Sequence, residues 1–97
     1  HLRRLSRSLK SVAKYEVFIK PSAAKELEGV GTKRDRQRLV SLIRELTANP
    51  RPHGFQKLSG AEKYRIRCGN YRIVYSINDD ELVVQVVKIG YRREVYR

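Results

Sequence analysis

Two alternating runs constrain this chain more than any other feature: Lys63-Tyr64-Arg65-Ile66-Arg67-Cys68 and Tyr71-Arg72-Ile73-Val74-Tyr75, separated by Gly69-Asn70. Alternation on both sides of a Gly-Asn pair predicts a β-hairpin closed by a two-residue turn. That turn sets Cys68 opposite Tyr71, Arg67 opposite Arg72, Ile66 opposite Ile73 and Tyr64 opposite Tyr75. Side chains alternate across a strand, so Tyr64, Ile66, Cys68, Tyr71, Ile73 and Tyr75 share an apolar face. Arg65, Arg67 and Arg72 occupy the other. Like charges directly opposite on a sheet are destabilising, and a chain that carries Arg67 against Arg72 is expected to place an anion between them. A register slip of one residue would exchange the two faces.

The rest of the chain supplies what the apolar face needs. Tyr15-Glu16-Val17-Phe18-Ile19 has strand-forming residues and is expected to end at Pro21. Ser22 is expected to cap a short helix through Ala23, Ala24 and Leu27, stopping near Gly29 or Gly31. Thr32 followed by Asp35 predicts the start of a second helix. Leu39, Leu42, Ile43 and Leu46 recur at spacings of three and four, so one face of that helix is buried. Asn49-Pro50 ends it, and the loop Arg51–Ser59 leads to the hairpin. A last strand, Leu82–Ile89, follows the Asn78-Asp79-Asp80 turn and is expected to stop at Gly90. The order is β-α-α-β-β-β. It predicts an α+β fold in which a two-helix hairpin covers one face of a small, mainly antiparallel four-stranded sheet. The arginine face then looks outward, towards solvent or substrate.

Charge narrows the partners. The 97 residues carry a formal net charge of +12, high for a single small domain. Residues 1–14 hold Arg3, Arg4, Arg7, Lys10 and Lys14 without an acid, which leaves +7 for residues 15–97. The first segment reads as a basic extension outside the fold or as a short amphipathic helix. His1 in place of an initiator Met favours upstream or expression-derived sequence, and the domain is placed at 15–97. Such charge fits a phosphate backbone, an anionic membrane or an acidic protein. An apolar run of membrane-spanning length is missing, so no membrane partner is expected. The single cysteine makes no intrachain disulfide, and without a Cys/His cluster no metal is expected. The expected location is cytoplasmic.

The element order, Leu58-Ser59-Gly60, the hairpin YRIRCGNYRIVY and the ending Gly90-Tyr91-Arg92-Arg93-Glu94-Val95-Tyr96-Arg97 together resemble the RelE/ParE toxin superfamily over Tyr15 to Tyr96. The resemblance implies a compact microbial toxin of a type II toxin–antitoxin pair. Its RelE-like branch is an endoribonuclease, an mRNA interferase that cuts message in the A site of the 70S ribosome without metal or cofactor. Its ParE-like branch shares the fold and targets DNA gyrase by protein binding. Carried over, the family's basic pair before the turn falls on Arg65 and Arg67. The strand arginine is Arg72, the arginine after the terminal glycine is Arg92, and the terminal tyrosine is Tyr96. The expected catalytic residues are Arg72, Arg92 and Tyr96; Arg65, Arg67, Tyr91 and Arg93 are expected to bind RNA. Many relatives carry histidine where this chain has Tyr91, so acid–base work by histidine there is excluded. The implied partners are message, the ribosome and a RelB-like antitoxin, acidic in the segment that wraps the toxin.

Those residue types suit the reaction. Internal RNA cleavage gathers negative charge on phosphoryl oxygens, and arginine forks bind such oxygens bidentately. Tyr96 can serve as a base only if neighbouring guanidinium groups pull its pKa well below about 10. Other residues read as structural. Tyr64 and Tyr75 belong to the core, Cys68 reads as a small buried hydrophobe, and His53 lies in a Pro-rich loop. Lys33, Arg34, Arg36 and Arg38 either grip ribosomal RNA or are solvated.

Overall fold

The computed structural model describes residues 14–58, 60 and 62–91. Its elements run β1 (Glu16–Ile19), α1 (Pro21–Glu28), α2 (Lys33–Glu45), β2 (Gln56–Lys57), β3 (Tyr64–Cys68), β4 (Tyr71–Asn78) and β5 (Val83–Tyr91). The sheet has five strands in the order β1-β5-β4-β3-β2, so the four-stranded expectation is corrected by one. The added strand is β2, whose Gln56 and Lys57 pair antiparallel with Arg65 and Tyr64. Two residues are too few to show a period of two, and this strand leaves no trace in the pattern. β1 runs parallel to β5, and every other pairing is antiparallel. Residues 1–13, and with them nearly all of the basic extension, lie outside the described residues.

The hairpin has the register read from its sequence: Tyr64 faces Tyr75, Ile66 faces Ile73, Arg67 faces Arg72 and Cys68 faces Tyr71. Gly69 has φ +62° while Asn70 does not take positive φ. Positive φ at the first central position alone is the type II′ turn, which matches the twist of the strands it joins.

Local chemistry accounts for the helix boundaries. The Thr32 hydroxyl accepts the Asp35 amide at 3.1 Å and caps α2. Pro21 opens α1 as its first residue, so Ser22 lies inside the first turn and does not cap it. α2 ends at Glu45, ahead of Asn49-Pro50, and its last carbonyls are closed by a turn through Leu46. β5 runs through Gly90 to Tyr91, beyond the stop expected at that glycine, because Gly90 pairs with Arg72 and stays in the ladder.

Both helices lie on one face of the sheet. Ala23, Leu39, Ile43 and Leu46 pack against Ile66, Ile73, Tyr75, Val84, Val86 and Ile89, all buried. Full burial of a large aliphatic side chain contributes about 1.5–3 kcal/mol, so these residues carry the fold. Tyr75 lies at the centre, fully buried, and its hydroxyl donates to the Pro50 carbonyl at 2.7 Å. Burial pushes its phenol up to about 12. No helix among the described residues is long and apolar enough to cross a membrane.

Candidate active site

The sheet face opposite the helices carries the arginines. Arg65 and Arg67 on β3 and Arg72 on β4 line one cleft of about 290 Å³, with Gly54 and Gln56 of the loop and β2 forming its other wall. The two-residue strand that was illegible in the sequence therefore has a consequence. It brings Gln56 over β3, where its side-chain carbonyl accepts a hydrogen bond from the Arg65 guanidinium. Gln56 and Gly54 are the site residues that sequence reasoning missed, and the Pro-Gly-rich loop before them carried no pattern to find them by.

Arg72 corrects one expectation. It lies on the outward face, but only 6% of it is exposed. A guanidinium so buried is held in place by its surroundings, where a solvated one would sample many rotamers. Its cross-strand neighbour on β5 is Gly90, which projects no side chain onto the face. Arg67, directly opposite on β3, is exposed, and its Nε donates weakly to the Gly69 carbonyl at 3.5 Å. The cleft thus joins a buried guanidinium, Arg72, to an exposed one, Arg67. The opposition of Arg67 and Arg72 costs about 0.2–1 kcal/mol by the usual measure of cross-strand pairs. An anion between them would reverse its sign.

Arg67 also lines a second cleft of about 450 Å³, which runs over the turn onto α2 and includes Arg34, Arg38, Cys68 and Glu45. Burial raises the Cys68 thiol above its ordinary pKa, which disfavours the thiolate that a nucleophile needs. Lys33 and Arg36 line a third cleft, along the outer surface of the helices.

Tyr91 stands apart from the arginine cleft. It packs edge-on against Tyr71, ring centres 5.1 Å apart at 84°, in a cleft with Glu26, Val30 and Ile89, while 47% of it remains exposed. Arg92, Arg93 and Tyr96 lie outside the described residues. The structure therefore brings Arg65, Arg67 and Arg72 together and sets Tyr91 at the end of the neighbouring strand. Among the described residues, no group of three or more His, Cys, Asp or Glu side chains is placed to hold a metal ion.

Comparison with known proteins follows the same lines. Residues 17–96 match the family model of the ParE toxin of the type II toxin–antitoxin system, parDE. A chain of the archaeal RelE–RelB complex from Pyrococcus horikoshii is 29% identical, with a TM-score of 0.74, over 81% of this chain and 96% of that one. The isolated RelE toxin of Escherichia coli is 32% identical, with a TM-score of 0.69, over 84% and 90%. The YoeB/ParE toxin from Agrobacterium tumefaciens, 19% identical with a TM-score of 0.68, shares the fold. No curated protein sequence matches. With its fold and four-fifths of its length accounted for in this way, the chain belongs to the RelE/ParE superfamily of toxins from type II toxin–antitoxin systems.

Proposed function

We propose that this toxin is a ribosome-dependent endoribonuclease that cuts message in the A site. The observation that carries the reading is the cleft in which Arg65, Arg67 and Arg72 meet, with Arg72 buried and held. Pre-placed positive charge at a transferring phosphoryl group is commonly the largest catalytic contribution, and a fixed guanidinium needs no reorganisation as the charge grows. Solved relatives at about 30% identity that are named RelE toxins support the same branch.

In the proposed reaction the 2′-hydroxyl loses its proton and its oxygen attacks the adjacent phosphorus. A 2′,3′-cyclic phosphate forms as the bond to the 5′-oxygen breaks, and that oxygen takes up a proton. Arg72 stabilises the phosphoryl oxygens, while Arg65 and Arg67 hold the neighbouring backbone. Tyr96 is assigned as the base and Arg92 as the cation beside the leaving oxygen. Arg92 acts through charge, because guanidinium keeps its proton. Arg93 is assigned to the backbone; Tyr91 is assigned to stack on a base, although it lies with Tyr71 and Glu26 outside the arginine cleft. A cleft of this size orients flexible RNA poorly, and the ribosome would supply the missing orientation. A RelB-like antitoxin is the proposed partner, since the P. horikoshii relative is a RelE–RelB complex.

The ParE description of the matching family model favours a second reading, inhibition of gyrase by protein contact. One experiment separates the two. After brief induction, message 5′ ends are mapped, and purified toxin is assayed on free RNA, on 70S complexes and in gyrase supercoiling. Cuts confined to translated message, dependent on 70S and persisting in EDTA when ribosomal magnesium is held separately, are expected. Intact messages with inhibited gyrase would overturn the ribonuclease reading.

A further inference from the structure

β1 and β5 differ in length, and the difference leaves an edge. The parallel ladder ends where the Lys20 amide donates to the Val86 carbonyl at 2.9 Å, because the chain turns into α1 at Pro21. Among the described residues, β5 continues to Tyr91 with β4 on one side only. Backbone groups along such an edge need other partners. The Ile89 amide finds one in Glu26 of α1, whose Oε1 accepts it at 2.8 Å. The other oxygen of the same carboxylate accepts Lys88 Nζ at 3.0 Å. One helix side chain thus grips two consecutive residues of β5.

The gripped residues sit at a critical place. The register of β4 and β5 shifts between Val74 and Tyr75: Val74 pairs with Lys88, Tyr75 with Val86, and Val87 is left over. Such a bulge changes which face the following residues occupy, so that Val86 and Ile89 both face the core although three positions apart. A bulge also loosens the ladder where it sits. Directly beyond it, Gly90 is the cross-strand neighbour of Arg72, and the chain that follows bears Arg92 and Tyr96.

We propose that Glu26 is a positioning residue of the toxin's active site. It fixes the end of β5 beyond the bulge, and with it the strand segment whose Gly90 pairs with Arg72. The inference rests on the ribonuclease reading above. Of its two contacts, the one to the backbone amide is decisive. The ion pair is part-exposed at both ends, 45% for the lysine and 32% for the glutamate, and pairs of that kind contribute little.

Glu26→Ala, Glu26→Gln and Lys88→Ala are compared in 70S-dependent cleavage and in amide hydrogen exchange. Glutamine keeps an oxygen for the Ile89 amide and loses only the ion pair. Glu26→Ala is expected to lower kcat about tenfold to a hundredfold, the range reached by misplacements near 1 Å, with half-saturation by ribosomes unchanged. Ile89 and Tyr91 amides should exchange faster in that variant alone, while Glu26→Gln and Lys88→Ala stay near wild type. A folded Glu26→Ala with wild-type kcat, or a Glu26→Gln as slow as the alanine variant, overturns the proposal. Should Glu26→Ala not fold, Glu26→Asp, one methylene short of the amide, is read the same way. If wild-type toxin cuts no message, the ribonuclease reading fails on its own. Exchange then decides the positioning role, and unchanged protection of Ile89 in the variant defeats it.

Discussion

At the scale of single residues, Arg72 combines two properties that rarely occur together, a permanent charge and nearly complete burial. If its role is bidentate contact with phosphoryl oxygens, charge alone will not replace it, because an ammonium is a point charge without the planar fork. Arg72→Lys is therefore expected to lose most of the activity, and Arg72→Ala on the order of a hundredfold to a thousandfold. Growth inhibition on induction and a thermal melt of the same proteins check both. A folded Arg72→Lys of full toxicity would show that only charge matters at this position. The arginine itself was legible in the sequence, since alternation placed it on the face away from the helices. Its burial was not. Burial is set by tertiary packing, and Gly54 and Gln56, which line the cleft with Arg72, carry no periodic signal that would place them over the sheet. Tyr91 was expected at the RNA site, but it lies outside the arginine cleft against Tyr71, a partner twenty residues earlier that emerges only from the β4–β5 register.

At the scale of elements, the hairpin was read to the residue because two constraints agreed, a period of two on both sides and a turn pair of known geometry. The length of β5 was misread because glycine usually ends strands, and here it pairs with Arg72. Gly69 carries the turn. Alanine there would meet Arg38 no closer than 3.8 Å, so space is available, and the cost comes from φ +62°. Gly69→Ala is expected to destabilise by about 1–2 kcal/mol, measured by denaturant melts, with cleavage by the folded fraction intact. The β4–β5 turn is tied down differently. Asp79 accepts the Tyr15 hydroxyl at 2.7 Å and both Arg51 nitrogens at 3.1 and 2.9 Å, joining the chain before β1 to the loop after α2. The Arg51 guanidinium and then the Tyr15 hydroxyl hold its carboxyl down from 3.8 to about 2. A depressed folded-state pKa adds stability that is complete above about 3.8 and lost as pH falls through about 2. The melting temperature of Asp79→Asn should then lie below wild type at neutral pH and converge with it near pH 2. Because the carboxylate is exposed, added salt should shrink the gap. A gap that ignores pH would assign the contact to packing instead.

For the whole molecule, the arrangement separates the core from the basic surfaces. The helices and the inner sheet face make the core, the outer face presents the arginine cleft, and Arg67 lies at the border between that cleft and the basic surface of α2. A molecule with a net charge of +12 surrounds itself with positive potential, and an acidic partner would be drawn to it before any contact forms. The antitoxin proposed here, acidic in its wrapping segment, should therefore bind at a rate that falls steeply as salt rises. At about 0.15 M the Debye length is near 8 Å, so charges scattered over the surface stop acting together at a distance. Dissociation should respond much less, because contacts already buried between the two proteins are poorly screened. Association and dissociation rates measured by stopped flow across a salt series give the two slopes separately. If the association rate stays flat while affinity remains high, the charge serves RNA and ribosome alone, and the antitoxin holds this toxin through apolar contacts.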